Sequence, residues 1–184
     1  MVLMLRVALL TALLVATLFV GCATRPASVA RPPELVAYDF GFLLPAGEPW
    51  RGTLTYRDYS TDNSVTIPST LLVTRADTPT NADSAFNFAI GYDEEPHANG
   101  ASRLEVREQG KVIALGDSVE GVVSHARVGD DVVIITQSTG EDDAKPAMIR
   151  KVYTIAARAF SLQKLVKFEG QNEFFERHTY RWTR

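Results

Sequence analysis

From residue 50 onward, apolar and polar residues alternate with a period of two. Trp50, Gly52, Leu54 and Tyr56 fall on one face of the run WRGTLTYR, and Arg51, Thr53, Thr55 and Arg57 on the other. Successive side chains of an extended chain point to opposite sides, so the pattern predicts a half-buried strand. Val65, Ile67, Leu71 and Val73 share a face in the next run. Pro68 inside it predicts a bend or an edge, because proline cannot donate to a ladder. Phe86, Phe88, Ile90 and Tyr92 follow, then Leu104 and Val106 between Arg103, Glu105 and Arg107. Further runs cover 119–128, 132–136, 148–155, 160–169 and 174–182.

Turn-forming residues separate these runs: Asp62-Asn63, Asn99-Gly100, Gln109-Gly110, Gly129-Asp130-Asp131, Gly140–Asp143 and Glu169–Asn172. Each supplies a residue suited to positive φ or to a side-chain turn bond. No long segment after the first 21 residues has helical periodicity, and 156–158 reads as a turn. The prediction is an all-β antiparallel meander of about nine to ten strands in one domain, 35–184. Its edges are hidden by closure into a barrel or, alternatively, by packing as a sandwich or open half-barrel.

The front of the chain follows different rules. Residues 7–20, VALLTALLVATLFV, are apolar apart from two threonines and follow Arg6. That order is a secretory signal, and the run is shorter than the roughly 20 residues of a membrane span. Phe19, Val20, Gly21 and Cys22 then resemble the lipobox of bacterial lipoproteins, with Phe19 where leucine is usual. The resemblance implies a signal peptide over 1–21 and acylation of Cys22, the only cysteine of the chain. Three acyl chains would make a lasting tether, where one binds only marginally. Ala23, in place of a retaining aspartate, implies the periplasmic leaflet of the outer membrane. Residues 22–34, with Pro26, Pro32 and Pro33, read as a flexible spacer.

Charge narrows the remaining classes. There are 19 Lys+Arg against 22 Asp+Glu, for a net charge of −3. That balance lacks the basic footprint of a nucleic-acid partner. A lone cysteine excludes an intrachain disulfide and a cysteine zinc cluster.

Trp50 opens the first strand after Ala46-Gly47-Glu48-Pro49, and Arg177-His178-Thr179-Tyr180-Arg181 lies in the last. This arrangement resembles the calycin barrels of lipocalins and fatty-acid-binding proteins. There a tryptophan near the start of the first strand packs under an arginine from the last. The resemblance assigns the tryptophan role to Trp50 and the arginine role to Arg181 or Arg177.

A barrel of this size holds one small ligand. The candidate lining or closing residues are Trp50, Tyr56, Phe86, Phe88, Arg177, His178, Tyr180 and Arg181. In the last run, Glu176, His178, Tyr180 and Trp182 share one face, and Arg177, Thr179 and Arg181 the other. The first face would give an aromatic lining with a polar centre. The second would pair two guanidiniums for a carboxylate or phosphate. The pattern alone does not choose between them, since one residue of register exchanges the faces.

Catalytic and cofactor signatures are sparse. Asp93-Glu94-Glu95-Pro96-His97 matches no metal spacing, and Gly140–Asp143 lacks the alternating ligands of a calcium loop, so both read as solvated turns. Ser124 and His125 are strand neighbours on opposite faces. There is no Gly-x-Ser-x-Gly elbow, phosphate-binding glycine loop or HExxH, so neither a catalytic residue nor a cofactor is assigned. The expectation is a lipid-anchored envelope protein binding a small apolar or amphipathic ligand. The alternatives are an assembly factor contacting another envelope protein and, less favoured, a hydrolase.

Overall fold

A computed structural model describes residues 26–44, 48–58, 60–61 and 63–184. Cys22, the lipobox, Asp62 and Gly47 lie outside the described residues. Eleven strands follow in chain order. They are β1 (Ser28–Ala30), β2 (Trp50–Arg57), β3 (Ser64–Arg75), β4 (Ser84–Gly91), β5 (Gly100–Arg107), β6 (Val112–Leu115), β7 (Ser118–Val128), β8 (Asp131–Asp142), β9 (Lys145–Ile155), β10 (Ala159–Phe168) and β11 (Phe175–Thr183).

Strands β2 to β11 pair antiparallel with their neighbours, and β11 returns to β2. Ten strands therefore close into a ring. The architecture is a closed antiparallel barrel, consistent with a lipocalin-like barrel, and the sandwich and half-barrel alternatives are set aside. Pro68 sits where β3 is paired with β2, before the β3–β4 ladder begins at Thr70. Its missing N–H therefore falls outside the β3–β4 ladder.

The β2–β11 seam depends on Gly52. A Cβ at that position would overlap the Arg181 carbonyl and crowd the Trp182 backbone. Glycine is what lets the two strands approach closely enough to close the ring. Alternation puts Trp50, Leu71, Val73, Phe86, Phe88, Leu104, Val106, Ile113, Ile134, Tyr153, Phe160 and Trp182 in one buried cluster.

Two features depart from the sequence reading. Residues 28–30 are not spacer: Ser28 pairs with Val128 and Ala30 with Ala126 on β7. The Arg31 N–H then donates to the His125 carbonyl at 2.8 Å. The tether read over 22–34 therefore joins the fold from Ser28 on. An exposed three-residue strand buries no alternate side chain, so it leaves no period to read.

The second departure is a short helix, α1 (Val36–Gly41), entered through a 3-10 turn at Pro33–Leu35. Six residues are too few to show a helical period, and the reason for the helix is tertiary. Val36, Phe40 and Leu43 insert into the barrel end and are fully buried. Phe40 meets Tyr153 edge-to-face, with ring centroids 5.3 Å apart. Asp39 fastens the plug. Its carboxylate accepts from His125 Nε2 at 2.6 Å and from Arg31 at 3.0 Å. His125 Nδ1 lies 3.1 Å from the Pro32 carbonyl.

Candidate functional site

The inward side chains change character along the barrel. Three successive rows across the strand register show it. Nearest the plug, Gly52, Trp182, Phe160, Ile155 and Val132 are partners in turn. The next row is Leu54, Tyr180, Leu162, Tyr153, Ile134 and His125. The third is Tyr56, His178, Lys164, Lys151 and Thr136. The interior therefore grades from dry and aromatic at the plugged end to polar at the other.

An aromatic ladder runs along this gradient. Phe160 stacks on Trp182 at 5.5 Å, Trp182 on Tyr180 at 4.8 Å, and Tyr180 meets His178 edge-on at 5.5 Å. Tyr180 also shares a hydrogen bond of 2.6 Å with the Tyr92 hydroxyl. Burial, followed by that bond, pushes the Tyr180 hydroxyl far above its ordinary range.

Beyond the ladder the barrel opens into a cleft of about 410 Å³. Leu54, Tyr56, Ile67 and Tyr92 form its apolar and aromatic wall. Lys164, Arg177, His178, Asp142 and Glu95 form its polar wall. Lys164 donates to Asp142 at 2.5 Å, and Arg177 lies 3.6 Å from the other carboxylate oxygen. Deeper in, Lys151 pairs with the buried Glu120 at 2.5 Å, and the Thr136 hydroxyl donates to Glu120.

His178 has no hydrogen-bond partner among the described residues. Burial, with the charges of Lys164, Arg177 and Lys151 around it, lowers its pKa to about 4. It is therefore a neutral imidazole at neutral pH, with one donor and one acceptor nitrogen.

The structure sorts the sequence candidates. Tyr56, Arg177 and His178 line the mouth, and Tyr180 forms part of its floor. Trp50 and Phe88 are packed in the core of the plugged half, as is Phe86, and none of the three lines the mouth. The two faces of the last strand are not cleanly inside or outside. The β10–β11 ladder shifts between Lys164 and Leu165, so Arg177 is an unpaired bulge residue beside inward His178. Arg181 remains exposed, and the pair of guanidiniums is not assembled.

The arginine over Trp50 is neither Arg181 nor Arg177. It is Arg184, whose guanidinium lies 4.1 Å from the ring centroid. Arg184 also donates to the Leu44 and Phe42 carbonyls at 3.0 and 2.9 Å, while the Trp50 indole donates to Leu43 at 2.9 Å. The closing contact thus comes from the residue after the last strand.

Asp142 is a further correction: the Gly140–Asp143 turn read as solvated, yet this carboxylate is buried. Sequence reading also missed Lys164, Tyr92 and Lys151. Lys164 and Lys151 stand at inward positions of alternating runs, a legible signal of charge inside a barrel. His125 is held by Asp39 and Pro32, and His97 lies exposed in the 3-10 turn Pro96–Ala98. Among the described residues, no group of three or more His, Cys, Asp or Glu is placed to hold a metal ion, and no helix is long and apolar enough to cross a membrane. No protein-family model matches the chain, and no curated protein is significantly similar to it.

Proposed function

We propose that the protein is a lipid-anchored envelope protein, tethered through Cys22, whose barrel binds a small amphipathic molecule at its open end. The observation that carries the reading is the graded interior. One half is filled with stacked aromatic rings, and the other is an open cleft lined by both apolar and charged side chains. A few placed polar groups on an apolar surface are what small-molecule sites present.

The lining also selects a head-group class. Asp142 and Glu95 balance Lys164 and Arg177, and Asp142 already accepts from Lys164. Neutral His178 adds one donor and one acceptor. These groups favour a molecule of no net charge carrying hydroxyl or amide groups, its apolar part against Leu54, Tyr56 and Ile67. The filled half leaves no deep apolar calyx for a long fatty chain.

Calorimetric titration with octyl glucoside and with octanoate, both below micellisation, tests this reading. The expected result is binding of the glucoside in preference to the carboxylate, lost in a folded Tyr56→Arg variant. An absence of binding by both, together with a clean apo mass for protein purified gently from its own membranes, would sink it.

A second reading is contact with another envelope protein. Val119 and Val123 are exposed on the outer face of β7 and favour it. Crosslinking in the native membrane from that face tests it: a specific neighbour lost in Val119→Ser/Val123→Ser supports the reading, and unchanged neighbours count against it.

A further inference from the structure

The two ends of the barrel differ in what they expose. Register links the β7–β8 hairpin to the plugged end: Val132 lies opposite Ile155, Ile155 opposite Phe160, Phe160 opposite Trp182, and Trp182 opposite Gly52 at the start of β2. The chain enters here. Pro26 lies against Gly129 of that hairpin, and β1 runs from there toward α1. The mouth is at the opposite end of the strands.

The plugged end carries the most exposed aromatic pair among the described residues. Tyr38 is 63% and Phe42 53% accessible, and their rings meet edge-to-face at 5.1 Å. They flank a shallow cleft of about 430 Å³ between α1 and the β3–β4 hairpin. Arg75 is the one cation lining it, and its side chain makes no hydrogen bond or ion pair with another described residue. The cleft's carboxylate, Asp83, is engaged by the Gly110 N–H at 3.0 Å.

We infer that this plugged end docks on the bilayer surface, with Tyr38 and Phe42 in the headgroup layer and Arg75 on a lipid phosphate, so that the mouth faces away from the membrane. The inference rests on the lipidation of Cys22 proposed above. Four peptide bonds join Cys22 to Pro26, and so short a chain spans at most about 14 Å. The anchor therefore brings this end, and not the mouth, to the lipid. The amphipathic tyrosine ring suits the membrane–water boundary, phenylalanine adds apolar area beside it, and a guanidinium matches phosphate bidentately. The acyl chains supply the hold, and the docked face fixes the orientation.

The test imposes the anchor so that orientation is read separately from processing. The chain from Cys22 onward, which contains the whole barrel, is coupled through its single thiol to a maleimide lipid. The vesicles are phosphatidylcholine and phosphatidylglycerol, with or without brominated acyl chains. Phe42→Trp and, separately, Ala98→Trp at the mouth are compared with the parent protein, which carries buried Trp50 and Trp182. The expected result is bromine quenching of the added fluorescence by about twofold or more in Phe42→Trp and none in Ala98→Trp. Equal quenching of the two variants, or none at position 42, would overturn the docking. The intact mass of the protein from its own membranes reads the anchor independently: a triacylated chain beginning at Cys22 supports it, and an unmodified chain removes the premise whatever the quenching shows.

Discussion

His178 and Tyr153 show how much a single inward residue depends on its level in the barrel. The His178 imidazole titrates near 6.5 when unfolded and at about 4 in the fold. Between those values the unfolded chain binds more protons. The contribution of neutral His178 is therefore fully present above about pH 6.5 and is lost as the pH falls toward about 4, by at most about 3 kcal/mol. In urea melts at about pH 7.5 and about pH 4.5, the wild type is expected to lose more stability than His178→Gln. Equal losses would refute the assignment.

Tyr153 is buried with no hydrogen-bond partner for its hydroxyl among the described residues, and desolvation, followed by the nearby Glu120 charge, pushes that hydroxyl well above its ordinary range. Tyr153→Phe removes an unsatisfied polar atom while keeping the ring against Phe40. It is expected to raise stability by about 1 kcal/mol in chemical denaturation. A loss of stability would reveal a partner for the hydroxyl.

At the scale of elements, α1 and the β2–β11 seam carry the closure. Asp39 is a buried carboxylate between His125 and Arg31, and Asp39→Asn removes the negative charge beside Arg31 and one of the two oxygens that hold the pair. The expected cost is about 3 kcal/mol, with faster hydrogen exchange in α1 than in β9. Chain ends matter for the same reason. A protein beginning at residue 35 lacks Arg31, the Pro32 carbonyl and β1, and is expected to melt at a lower temperature than one beginning at residue 26. Equal melting temperatures would return 28–34 to the role of spacer. The proline-rich composition of 22–34 concealed this role, because a three-residue strand and a six-residue helix are both shorter than the periods that reveal them.

Across the whole molecule, stability and binding are assigned to opposite ends. Phe88→Ala in the packed half is expected to cost about 3–5 kcal/mol and leave glucoside affinity near that of the wild type wherever the variant is folded. Tyr56→Arg is expected to abolish that affinity with a smaller change in stability. Paired denaturation and calorimetry check both, and a variant pair in which the two effects travel together would remove the division.

Much of this fold was present in local order. Alternation placed Leu54, Tyr56, His178, Tyr180 and Trp182 on faces that do point inward, since strand geometry sends residues i and i+2 the same way. The turns at Gln109-Gly110, Gly129 and Gly170 coincide with positive φ. The choice of Arg184 over Arg177 and Arg181, the burial of Asp142 and the bulge that brings Arg177 beside His178 were not local. Each depends on which strand pairs with which and in what register, and the β2–β11 pairing that sets Arg184 beside Trp50 joins residues more than a hundred positions apart. Sequence by itself determined the strands, their turns and an alternation with one apolar side. Tertiary structure alone decided which end was filled by α1 and which was left open, because a plug and a mouth exist only after the ring has closed.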